Sequence, residues 1–94
     1  MSRFVVRIEL RDSESADYDE LHEKLASHGF KRTLLNSDYD PVWLPNAEYL
    51  YETETNGIYY VGHLAKVVSE KIRPNPKVLV TEVKELFFID LDKA

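Results

Sequence analysis

Apolar and polar positions alternate at the start of the chain. Phe4, Val6, Ile8 and Leu10 fall on one side, and Val5, Arg7, Glu9 and Arg11 on the other. A period of two predicts a half-buried strand with one apolar face and one mostly charged face. After a polar break at Asp12–Ala16 the period becomes helical: Tyr18, Leu21 and Leu25 share a face, with His22 at its margin. Asp17 and Glu20 have the spacing of a capping box with Asp17 as cap, and Gly29 suits the residue just past a helix end. A helix is predicted over about 17–28.

Residues 30–35 alternate in part, and the Tyr-rich stretch 47–54 alternates well. They read as antiparallel partners joined by a long loop through the turn-rich run Asn36-Ser37-Asp38-Tyr39-Asp40-Pro41, with Pro45 marking an edge or a bulge. Asn56-Gly57 has two readings. It is a hairpin signal that would make Ile58–Val61 a strand, or it precedes a helix. Ile58, Val61, Leu64, Ala65, Val68 and Ile72 fit one helical stripe, which favours a helix over about 57–72. Arg73-Pro74-Asn75-Pro76 stops it. Lys77–Val83 reads as a strand and Leu86–Leu91 as a further short one. The order strand, helix, strand, strand, helix, strand predicts a single domain over 1–94. Its expected class is α+β, a ferredoxin-like βαββαβ two-layer sandwich with a short extra C-terminal strand.

Composition narrows the chemistry. The 94 residues contain no cysteine, which removes disulfides, thiolate metal sites and cysteine nucleophiles. Twelve Lys and Arg against seventeen Asp and Glu give a net charge of −5, unlike the basic surface of a nonspecific duplex binder. No apolar run is long enough to span a membrane and the amino terminus does not read as a signal peptide, so a soluble cytoplasmic protein is expected. Asp38-x-Asp40, Asp90-x-Asp92 and Asp12, just after the first strand, are carboxylates of the kind that hold cations, but short acidic pairs are common in turns; no metal or cofactor is predicted. His22, His28 and His63 are the candidate general bases near neutral pH. If the Phe4 face packs on the helices, Arg7 and Glu9 point away, where Arg32, Tyr49 and Tyr51 join them in one of the possible registers. Arginine and tyrosine on an open sheet suit single-stranded RNA, but in so small and acidic a chain they suit a protein interface better.

Several segments taken together resemble a known family. Phe4-Val5-Val6-Arg7-Ile8-Glu9-Leu10, Asp17-Tyr18 with Leu21-His22, and Gly29-Phe30-x-Arg32 are followed by Leu44-Pro45-x-Ala47-Glu48-Tyr49 and Val78-Leu79-Val80-Thr81-Glu82. In order, and over most of the chain, these resemble small proteins grouped with the GhoS antitoxins. The resemblance implies a ferredoxin-like fold. It also implies a type V antitoxin activity, the sequence-selective endoribonucleolytic cleavage of a membrane toxin's messenger RNA. It carries no catalytic set to these positions, so the roles follow residue type. Cleavage without a metal needs a base for the 2′-hydroxyl and a cation for the phosphorane. His22 is the candidate base, Arg7 or Arg32 the cation, and Tyr49, with Tyr51, the RNA-stacking contact. The alternative is a non-enzymatic protein-binding module or inhibitor from a mobile element, acting through a Tyr-rich sheet face and acidic loops. Both readings expect a homodimer formed through sheet edges or faces.

Overall fold

Seven elements follow one another in a computed structural model that describes residues 1–94. They are β1 (Ser2–Glu9), α1 (Ser15–Ala26), β2 (Thr33–Leu35), β3 (Pro41–Trp43), β4 (Glu48–Thr53), α2 (Ile58–Glu70) and β5 (Lys77–Glu82). β1 is the centre of the main sheet, antiparallel to both neighbours in the order β4-β1-β5. β2 and β3 form a separate two-stranded sheet, and the segment just before β2 meets the outer side of β4 through one reciprocal bridge. The Lys31 N–H donates to the Leu50 carbonyl at 2.8 Å, and the Leu50 N–H to that of Lys31 at 2.7 Å. This is the strand order of a ferredoxin-like α+β sandwich, with both helices on one face.

The alternation in β1 decides what the helices cover. Phe4, Val6, Ile8 and Leu10 are buried with Leu21 and Leu25 of α1 and Val61, Ala65 and Val68 of α2. Opposed residues of an antiparallel pair share a face, and the register sets Phe4 against Tyr51 and Val6 against Tyr49. Both tyrosines therefore lie in the helix-side core, Tyr49 1% and Tyr51 8% exposed. The predicted open, Tyr-rich face does not exist. The other face is not open either, since Val5, Leu34, Val42 and Leu50 pack there with Leu44, Leu86, Phe88 and Leu91.

Other departures have local causes. Asp17 takes part in the capping box from the opposite position: Glu14 is the cap residue, and the Asp17 carboxylate turns back to accept its N–H at 2.9 Å. The same oxygen accepts Arg73 Nε–H at 2.8 Å, tying the start of α1 to the end of α2. The long loop predicted between residues 35 and 47 contains a strand, β3, which is the main partner of β2. Gly57 caps α2, so the hairpin alternative is not adopted. The predicted C-terminal strand at Leu86–Leu91 is not formed. That segment's apolar residues are drawn onto the sheet, and main-chain pairing begins only beyond it, where the Trp43 N–H donates to the Asp92 carbonyl at 2.8 Å and Val42 bridges Lys93.

One buried group has no partner. The Ser69 hydroxyl on α2 is fully enclosed and makes no hydrogen bond. An unsatisfied buried hydroxyl costs about 1–3 kcal/mol of desolvation. Ser69→Ala is expected to raise stability by about 1 kcal/mol, read as a higher denaturation midpoint at unchanged slope.

Candidate functional site

His22 lies on α1 one position past fully buried Leu21, which leaves its ring half-buried. Its Nδ1 and the Tyr49 hydroxyl share a hydrogen bond of 2.7 Å. The imidazole is also bracketed by the Tyr18 and Tyr49 rings, with centroids 6.4 and 5.7 Å away. Burial holds the imidazole below its ordinary pKa of 6.5; the Arg32 charge pushes the same way and Asp19 opposes. His22 is thus neutral at pH 7. Burial also pushes the Tyr49 phenol up to about 12, so it stays protonated. When Nδ1–H donates to the Tyr49 oxygen, the lone pair is on Nε2, which makes no hydrogen bond within the chain.

A cleft of about 490 Å³ opens beside this ring, lined by Arg7, Tyr18, His22, Arg32, Asn46 and Ala47 among others. The fold therefore brings His22, Arg32 and Arg7 to one place from α1, the bridge before β2, and β1. The two arginines differ in availability. Arg7 pairs with Glu9 at 3.2 Å and with Glu48 at 3.8 Å. Arg32 makes no ion pair, and its guanidinium lies over the Trp43 ring, 5.1 Å from the centroid. The Tyr18 hydroxyl oxygen accepts the Leu10 N–H at 2.9 Å, which leaves its own proton to give.

Tyr49 reaches this site only from beneath, as the partner of His22, and Tyr51 not at all: its ring packs on Phe30 at 4.8 Å. Neither is placed to stack a base. Tyr18, Trp43 and Asn46 were missed by sequence reasoning. The sequence pattern places Tyr18 on the apolar stripe of a helix and Trp43 in the long loop before residue 47. The only signal for Trp43 was its being the single tryptophan, set between prolines. His63 lies in a different groove, between α2 and β5. Asp12 takes a left-handed turn conformation (φ +51°), and no three His, Asp or Glu side chains gather where they could hold a metal ion.

Ala47, at the floor of the cleft, has φ +69° while its carbonyl accepts the Ile8 N–H at 2.9 Å. A left-handed alanine costs about 1–2 kcal/mol. Ala47→Gly is expected to raise stability by about 1 kcal/mol, measured by chemical denaturation. Compared with known proteins, the chain matches no family model and no curated relative.

Proposed function

We propose that the protein is a GhoS-like, sequence-selective endoribonuclease acting on single-stranded messenger RNA as an antitoxin. The observation that supports this is the gathering of a neutral half-buried histidine, a cation without an acidic partner and a phenol in one cleft. In this reading, His22 takes the proton of a 2′-hydroxyl and the oxygen attacks the adjacent phosphorus. Arg32, helped by Arg7, stabilises the charge that builds on the phosphorane. The bond to the 5′-oxygen breaks, and Tyr18 supplies the proton to that leaving oxygen. The products are a 2′,3′-cyclic phosphate and a 5′-hydroxyl, and the proton on His22 returns to Tyr18.

The test is incubation of the purified protein with a pool of single-stranded RNAs, with and without EDTA. Discrete EDTA-resistant cuts ending in cyclic phosphate, lost in His22→Ala and in Arg32→Ala, are expected. Wild-type cutting by both variants, or cutting abolished by EDTA, overturns the mechanism.

A protein-binding module is the second reading, on a different surface from the one the sequence pointed to. In the C-terminal segment Leu86, Phe88 and Leu91 pack inward, while Phe87 is 88% and Ile89 72% exposed. Two such side chains on a tail suit an apolar partner. Salt separates the two readings: RNA binding weakens steeply as salt rises, whereas a largely apolar interface does not.

A further inference from the structure

Arg32 and Asn46 line the His22 cleft and also a second hollow of about 420 Å³, whose other walls include Trp43, Pro45, Asp90 and Asp92. We infer that this hollow is a nucleobase subsite of the same RNA site, with Trp43 as the stacking platform and guanine as the preferred base. The inference rests on the ribonuclease reading above.

The ring is both available and held. Trp43 is 41% exposed, yet its backbone lies in β3 between Thr33 of β2 and the C-terminal segment, where its N–H donates to the Asp92 carbonyl. A platform fixed by main chain on two sides loses little freedom when a base settles on it. Arg32, stacked on that ring at 5.1 Å, extends from the platform to the cleft of His22. A cation beside an aromatic platform is the arrangement that holds a phosphate and stacks the neighbouring base of a single strand.

Charge divides the two hollows. Around His22 the lining charges are Arg7 and Arg32 against Glu9, which pairs with Arg7 and leaves Arg32 as the cation for a phosphate. In the second hollow Asp90 and Asp92 join Arg32 in the lining without pairing with it, and acidic residues there disfavour a phosphate. They accept N–H donors instead. Guanine carries adjacent N1–H and N2–H donors on its pairing edge, which match the two oxygens of one carboxylate. Adenine and cytosine set an amino group beside an acceptor nitrogen, and uracil has one N–H between two carbonyls. The segment bearing these carboxylates is held along β3 by the Trp43–Asp92 bond and by the Ala94 N–H donating to the Pro41 carbonyl at 3.1 Å.

Because the chain has one tryptophan, its fluorescence reports on this hollow directly. The full chain is titrated with short 2′-O-methyl oligouridylates, which lack the nucleophile, carrying one central G, A or C or none. Anisotropy of labelled copies follows binding in parallel. The G oligonucleotide is expected to quench Trp43 and to bind roughly tenfold more tightly than the all-U one. Trp43→Leu is expected to lower its affinity by roughly tenfold, and Asp90→Asn with Asp92→Asn to bring the four oligonucleotides close to parity. Binding seen by anisotropy without quenching overturns the subsite and leaves the ribonuclease reading standing. Quenching of equal affinity for all four overturns the guanine preference. No anisotropy change with any of them overturns the subsite together with the RNA reading. The wild-type titration alone decides among these, so a variant that folds poorly leaves the inference falsifiable.

Discussion

Replacing His22 by alanine is expected to slow RNA cleavage by roughly 10²–10⁴-fold, the usual contribution of a positioned general base. The pH profile makes the prediction specific to that role. The imidazole's pKa lies below 6.5, chiefly through burial and then through the Arg32 charge. A base acts in its neutral form, so the rate should rise with pH through that depressed value and be level across neutrality. An acid catalyst in the same position would give the opposite slope. Arg32→Ala should move the acid limb to higher pH, because it removes a charge that disfavours imidazolium, and should lower the level of the plateau as well. Tyr49→Phe keeps the ring and removes the partner of Nδ1. It is expected to cost less than His22→Ala and to leave a profile of the same sign.

The same shift bears on stability. His22 is held neutral in the fold, so its folded pKa lies below its unfolded one. The sign follows: the contribution is complete above about pH 6.5 and is lost as pH falls through the depressed folded value. Unfolding in mild acid should therefore be shallower in His22→Ala than in the native chain. Chemical denaturation at a series of pH values between the two limits measures the difference.

Phe30→Ala is expected to remove about 3–5 kcal/mol of stability, the cost of deleting a buried aromatic side chain and leaving its cavity. Against a total of about 5–15 kcal/mol for a domain, that is enough to leave part of the population unfolded. Phe30 is held in the core between α1 and the sheet, its ring 4.8 Å from Tyr51. It follows Gly29, whose φ of +93° lets the chain turn from the helix end back toward the sheet. Two residues later comes Arg32. The substitution should therefore lower the denaturation midpoint and, in the fraction still folded, loosen Arg32 over Trp43. A control such as Leu35→Ala, at an exposed position, should stay within about 0.5 kcal/mol of the native chain. Equal losses for the two variants would contradict this placement of the core.

The number and order of the main elements were legible in the sequence because each has a strong local cause. The period of two in Phe4–Leu10 marks a strand whatever it pairs with, and the stripe from Ile58 to Ile72 is strong enough to outweigh the turn signal of Asn56-Gly57. Pro74 and Pro76 bar a helix from running on past Arg73 by covalent geometry, and α2 stops before them at Glu70. His22, Arg7 and Arg32 could be singled out by residue type, since an imidazole and a guanidinium carry their chemistry wherever they lie.

Their meeting in one cleft was a matter of tertiary structure. It depends on α1, β1, the segment before β2 and the turn at Asn46 and Ala47 lining one hollow, a relation between segments far apart in the chain. Tyr49 and Tyr51 make the same point in the other direction. Their alternation was visible, but the face they occupy is set by register, and a slip of one residue would reverse it. Pairing Val6 with Tyr49 turned both rings into the core and made one of them the partner of His22. The tail at Leu86–Leu91 has the composition of a strand, yet the apolar face left by Val5, Leu34 and Leu50 draws its side chains down before its backbone finds a partner. Local pattern determined which segments are helices and strands and which residues bear the chemistry. Register and packing decided which of those residues face one another, because both depend on long-range contacts that no short stretch of sequence contains.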